Sequence, residues 1–182
     1  MMLSDHDILK EIKSGEIICE PFDLANLSNS SLDLRLGSKI AKQRCDTIVS
    51  FDVNESGKLS IKSEIATLEQ TISSDRYILK PSEFILAETF EYVGSNSDRI
   101  IAQVADKSTL ARLGLSVCFS AGCIDPGNAL NITLEIKNPG DLTIELQEGM
   151  HICQLKFMYL SHPCDEIYDG KYKNNTQLEI AK

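Results

Sequence analysis

Within Ala105–Ile136, ADKSTLARLGLSVCFSAGCIDPGNALNITLEI, residue types that bind anions and move protons lie at short spacing. Lys107, Ser108 and Arg112 supply charge and donors on a short polar-to-helical turn. Asp125 sits in a Pro-Gly corner, and Glu135 stands on the polar side of an alternating strand. Cations beside a hydroxyl hold anionic groups, and a carboxylate near them can take and deliver protons. The set suits a site that holds a charged small molecule and does acid–base chemistry on it. Taken singly, each part has a plainer meaning: a solvated strand glutamate, a surface helical turn, and an ordinary Asp-Pro-Gly turn.

The elements that would position these residues are short and mostly extended. Leu130, Ile132, Leu134 and Ile136 fall on one face of a strand over 130–137, with Asn131, Thr133, Glu135 and Lys137 on the other. Leu32, Leu34 and Leu36 alternate with Ser31, Asp33 and Arg35, which predicts another half-buried strand. Further strands are expected near 47–53, 59–65, 76–80, 84–92, 99–105, 115–120, 142–146 and 151–159. Pro81-Ser82, Pro126-Gly127, Pro139-Gly140 and Glu148-Gly149 supply turns between many of them. One helix precedes them. Ser4 and Asp7 form a capping-box pattern, Ile8, Leu9 and Ile12 an apolar stripe, and Gly15 a stop. Many short strands after one N-terminal helix predict a mainly β fold, a compact barrel or jelly roll. Residues 162–182 are polar and are expected to form a loosely held tail.

Composition narrows the function classes. A chain of 182 residues suits one domain, 1–182, with a sizeable core. Its net charge of -9 argues against nucleic acid as the main partner, while a free nucleotide needs only a local cationic cluster. No apolar run is long enough to span a membrane, and the N-terminus MMLSDHDILKEIKSG has no apolar signal core, so a cytoplasmic location is expected. The six cysteines, Cys19, Cys45, Cys118, Cys123, Cys153 and Cys164, contain no C-x-x-C pair and accompany three histidines. That spacing argues against a structural zinc site, and it lacks the H-x-E and P-C-x-x-C signature of zinc-dependent deaminases. Reduced cysteines acting as small buried hydrophobes are the expectation.

Combined, the segments resemble the dCTP deaminase branch of the trimeric dUTPase superfamily. The resemblance is carried by NSSLDLRLG (29–37), KPSEFILAETFE (80–91), DKSTLARLGL (106–115), SAGCIDPG (120–127), ITLEI (132–136) and EGMHICQL (148–155). They run in the family's order over roughly residues 3–173. The resemblance implies a distorted jelly-roll, dUTPase-like β-barrel assembled as a homotrimer, with active sites at subunit interfaces. It also implies zinc-independent deamination of dCTP to dUTP and ammonia. Glu135 matches the proton-carrying carboxylate, and Ser108 and Arg112 match residues that orient it and contact phosphates. The carbonyl of Ala121 matches one that positions water, and Asp125 matches the acid at the sugar hydroxyl. Lys107, with Lys171 and Tyr172 in the tail, would meet the triphosphate and its Mg²⁺. Asn128, Tyr168 and Asn175 complete the expected substrate-binding set, and dTTP is an expected inhibitor.

The departures from the family pattern fall near the site. Cys118 stands where histidine is common, Asn128 replaces an aromatic residue that packs on the nucleotide, and Leu130 replaces a glycine. The tail reads KYKNNTQLEIAK instead of a K-Y-x-x-Q-x-G segment, so Asn175 or Gln177 takes the place of the glutamine. Ala121-Gly122 resembles bifunctional members that carry dCTP through to dUMP and pyrophosphate. Hydrolysis of dUTP alone is a further reading, and a non-catalytic nucleotide-binding trimer is the alternative from another class.

Overall fold

The capping box forms as the sequence predicts. In the computed structural model, which describes residues 1–43, 48–55, 59–61, 67–72 and 76–178, α1 (Asp5–Ser14) begins at Ser4. The Ser4 Oγ accepts the Asp7 N–H at 3.3 Å, and the Asp7 carboxylate accepts the Ser4 N–H at 3.1 Å. Gly15 closes the helix in the left-handed region with φ 80, donating its N–H to the Ile12 carbonyl. Ile8 is fully buried, and Ile12 packs against the same core.

Thirteen strands follow among the described residues. They are β1 (Ile17–Glu20), β2 (Leu27–Ser28), β3 (Ser31–Gln43), β4 (Phe51–Val53), β5 (Leu59–Ile61), β6 (Thr67–Thr71) and β7 (Tyr77–Leu79). After them come β8 (Phe84–Ser95), β9 (Ile100–Asp106), β10 (Cys123–Ile124), β11 (Ala129–Lys137), β12 (Ile144–Leu146) and β13 (His151–Tyr159). A second, five-residue helix, α2 (Ser108–Arg112), joins β9 to the segment before β10. The main sheet is antiparallel in the order β1-β8-β3-β13-β9-β10, with β11 on β8 and with β2 and β6 on β3. Early in its length β3 pairs with β13, and from Leu36 onward it pairs with β8 and β6. One long strand thereby passes from one set of partners to another, and the sheet curls into a half-barrel. The mainly β architecture with a short N-terminal helix agrees with expectation.

Alternation along β3 drives its burial: Leu32, Leu34 and Leu36 are buried while Asp33 and Arg35 are only partly so. Their inner face meets Ile8, Ile85, Val93, Ile100, Leu134, Ile152 and Phe157 in one contiguous core. Each such side chain contributes about 2 kcal/mol of transfer free energy. Arg35 lies over the Phe90 ring, 4.4 Å from its centroid. It holds the buried Glu91 at both carboxylate oxygens, through its backbone N–H at 2.8 Å and its Nε at 2.6 Å. A carboxylate this deep in the sheet must be paired in this way. The β8–β11 register shifts between Asn131 and Thr133. Thr89 Oγ1 stitches that irregularity, accepting the Ile132 N–H at 2.9 Å and donating to the Glu91 carbonyl at 2.8 Å.

Three expectations need correction. The strand over 115–120 is instead irregular backbone, tied by isolated bridges from Ser116 to Lys137 and from Cys118 to Glu135. Its Val117 N–H donates to the Asp106 side chain at 2.8 Å, so a side chain takes the place of a ladder partner. The C-terminal segment is tied down rather than loose over 168–175, where Tyr168, Asn174 and Asn175 are hydrogen-bonded to 126–131. Among the described cysteines only Cys153 is buried, whereas Cys123 is exposed and Cys19, Cys118 and Cys164 are partly so. Within the expected 47–53 strand β4 covers 51–53, and within 59–65 β5 covers 59–61, with 47, 62–65 and Cys45 outside the described residues. No helix among the described residues is long and apolar enough to cross a membrane.

Candidate active site

The strand β11, the loop before β10 and the C-terminal segment enclose a cavity of about 400 Å³. Glu135 and Asp125 both line it, along with Ala121, Asn128, Tyr168 and Tyr172. Apolar walls come from Phe84, Leu86, Val104, Leu130 and Ile132. Among the described residues no Lys or Arg side chain lines it. A mostly apolar cleft with a few convergent polar groups is the usual form of a small-molecule site.

Glu135 reaches the cavity because its strand alternates over 132–137 as predicted: Ile132, Leu134 and Ile136 are buried, and Thr133, Glu135 and Lys137 are half-buried. The alternation does not extend to Leu130 and Asn131, both half-buried before the register shift. Its carboxylate is gripped on one side only. Oε2 accepts the Ser120 N–H at 2.8 Å, the Ser120 hydroxyl at 3.0 Å and the Ala121 N–H at 3.3 Å. Oε1 accepts no hydrogen bond from the described residues, so one oxygen is fixed and the other faces chemistry. The loop that carries these donors is anchored at both ends. Phe119 rests edge-on against Phe84 with ring centroids 6.3 Å apart, and the Gly122 carbonyl accepts the Val104 N–H at 2.8 Å.

Ser120 stands inside the quoted SAGCIDPG segment, yet sequence reading gave it no role. Its type and its place beside Ala121 were the available signal, but the grip on Glu135 depends on a bridge between distant segments. Cys118, beside that bridge, is pushed up from the usual thiol range by burial and then by the Glu135 charge. Burial of this kind disfavours the thiolate. A side chain on Gly122 would lie 2.6 Å from the Cys118 Sγ, so a larger residue there would have to displace the Cys118 side chain.

The sequence-predicted residues divide into two groups. Glu135, Asp125, Ala121, Asn128, Tyr168, Tyr172 and Asn175 come together around the cavity. Lys107, Ser108 and Arg112 do not line it. Lys107 lies 2.7 Å from Asp33 Oδ2, in an ion pair that braces the end of β9 against β3. Ser108 and Arg112 are exposed on α2, and Arg112 forms no ion pair among the described residues. Lys171 sits over the Tyr172 ring, 5.0 Å from its centroid. Among the described residues no group of three or more His, Cys, Asp or Glu side chains is placed to hold a metal ion.

Comparison with known proteins places this geometry in a family. The dCTP deaminase-like family model matches residues 2–160. A protein of Aquifex aeolicus named "dCTP deaminase, dUMP-forming" is 37% identical over 95% of this chain and 89% of its own length. One of Hydrogenobaculum with the same name is 43% identical over 88% of this chain and 83% of its own. A protein of Haloarcula marismortui named "dCTP deaminase" is 36% identical, covering 100% of this chain and 94% of that one. Among solved structures, the 2′-deoxycytidine 5′-triphosphate deaminase of Agrobacterium tumefaciens superposes with a TM-score of 0.64. It is 22% identical and covers 88% of this chain and 48% of that one, so it supports the fold.

Proposed function

Because the chain belongs to the dCTP deaminase-like family, we propose that it deaminates dCTP hydrolytically at Glu135 and carries the product on to dUMP and pyrophosphate. The observation that carries the first step is the one-sided grip on Glu135 inside a cleft of nucleotide size. In that step a water oxygen bonds to C4 of cytosine as Glu135 accepts its proton. Glu135 delivers the proton to N3, and the tetrahedral intermediate collapses with cleavage of the C4–N bond. The remaining hydroxyl proton passes through the carboxylate to the leaving amine, so dCTP and water become dUTP and ammonia. The Ala121 carbonyl, next to the N–H that holds Glu135, is the acceptor that orients the water.

Two observations favour the second step. Asp125 lines the same cavity as Glu135, which provides a second carboxylate to activate water for attack on the α-phosphorus with pyrophosphate leaving. The curated relatives from Aquifex and Hydrogenobaculum carry the dUMP-forming name, although the Haloarcula relative does not. They weigh toward dUMP over release of dUTP.

Two carboxylates alone cannot hold a triphosphate, and no Lys or Arg among the described residues lines the cavity. The exposed Arg112 and Ser108 on α2 are suited to supply what is missing from a neighbouring copy, as in a homotrimer with shared sites. Mg²⁺ enters as the counter-ion of the triphosphate substrate, and dTTP, which shares the uracil-like face of the product, is the inhibitor to test. Incubating pure protein with dCTP and dUTP separately, with and without Mg²⁺, tests the whole reading. Ammonia and pyrophosphate are expected from dCTP, and pyrophosphate from dUTP. Ammonia without pyrophosphate leaves dUTP as the product, and nucleotide binding without either indicates a regulatory trimer.

A further inference from the structure

Asn128 is buried, 6% exposed, on the cavity wall. Its Oδ1 accepts the Asn174 N–H at 3.0 Å, which fixes the orientation of the amide, since only the oxygen can accept. Its Nδ2 donates no hydrogen bond to any described residue, and a buried amide left half-satisfied is costly unless something completes it. Next to it, the Asn131 N–H donates to the Asn175 carbonyl at 2.8 Å and the Tyr168 N–H to the Pro126 carbonyl at 3.0 Å. Ile167 packs on Gly127, where an added Cβ would come within 2.6 Å of its side chain. The C-terminal segment therefore lies in cis along 126–131, and it brings Tyr168 and Tyr172 to the cavity.

We propose that Asn128 is a positioning and specificity residue with two faces. Oδ1 clamps the C-terminal segment over its own cavity, and Nδ2 donates to an oxygen of the bound nucleotide's sugar. The aromatic surface against the nucleotide then comes from Tyr168 and Tyr172 on the clamped segment, not from position 128. This rests on the nucleotide reading for the ligand half only. The clamp itself is a property of the chain and can be tested without turnover.

The test combines limited trypsin digestion of the full-length protein with dCTP kinetics. Digestion after Lys171 and Lys173 reports opening of the segment, because cleavage follows the population of the open form. Asn128→Ala is expected to raise that cleavage rate about tenfold and KM for dCTP about tenfold, with kcat unchanged, the size of one lost hydrogen bond on each face. Asn128→Asp keeps the acceptor and removes the donor, so cleavage stays at the wild-type rate while KM rises. Wild-type cleavage in Asn128→Ala, or an Asp variant that opens as readily as the Ala variant, overturns the clamp. An unchanged KM in both variants overturns the ligand contact. Should Asn128→Ala fail to fold, hydrogen exchange at the wild-type Asn174 amide decides: slow exchange supports the clamp and free-peptide exchange overturns it. Cleavage and exchange remain decisive even if pure protein releases no ammonia, an outcome that would strike the proposed reaction alone.

Discussion

Glu135 has one carboxylate oxygen tied to three donors and the other facing the cleft. In the proposed reaction that division would let the side chain hold one rotamer while a proton moves on and off the open oxygen. Replacing it with Gln keeps the shape and removes the proton acceptor. Glu135→Gln is expected to lower ammonia release from dCTP by at least a thousandfold, with nucleotide affinity changed by less than about threefold. Stopped assays for ammonia and equilibrium binding of dCTP check the two halves. Ser120 acts one step back. Ser120→Ala removes one of three donors, so kcat should fall about tenfold with KM little changed, and Ser120→Thr should restore most of it. A KM effect in place of a kcat effect would make Ser120 a binding residue. The polar face of β11 was legible because a strand's period of two is local. The role of Ser120 was not, since it arises where residue 118 bridges to residue 135 across the fold.

The elements around the site are held by polar groups as well as by the core. Glu83, just before β8, accepts from the Lys42 ammonium on β3, from the Tyr77 hydroxyl at 2.9 Å and from the Lys80 N–H at 2.8 Å. Burial by itself raises its carboxyl, but these donors outweigh it and hold it below the ordinary carboxylate range. A depressed folded value means that the stabilisation is present above the unfolded pKa, about 4.3, and is lost as pH falls through the folded value. Glu83→Gln is expected to cost about 1–2 kcal/mol at pH 7 and to converge on wild type near pH 3. Urea midpoints measured at pH 7, 5, 4 and 3 check the convergence, and a constant difference at all four would refute the linkage. α1 and the alternating start of β3 were readable because caps and periods are local. β1, β6, β10 and the 115–120 segment were not, because a short strand is defined by its partner. The hold on the C-terminal segment was not legible for the same reason: its polar residues look solvated until Asn128 and Asn131 are seen to receive them.

At the scale of the whole molecule, one chain carries two carboxylates, Glu135 and Asp125, in its cavity and the Arg112 guanidinium on a separate exposed helix. With no cation among the described residues of the cavity wall and a net charge of -9 on the chain, a triphosphate is repelled unless positive groups are brought to it. Two exposed apolar side chains follow α2 in the chain before β10: Leu113 at 44% and Phe119 at 60%. A neighbour that covers them would bring the α2 of one copy to the cavity of the next, and closed cyclic symmetry would repeat that contact around a ring. Light scattering is expected to give three times the chain mass. A sharper test mixes inactive chains. Arg112→Ala and Glu135→Gln homotrimers should each be nearly inactive, because every site lacks one partner. Refolded together in equal amounts, they form trimers in which a site is intact whenever an Arg112→Ala chain supplies Glu135 and its neighbour supplies Arg112. Random assortment makes that roughly one site in four, so about a quarter of wild-type dCTP turnover should return. If both residues served the same chain's cavity, no mixture could restore activity, because every chain would still carry one of the two defects.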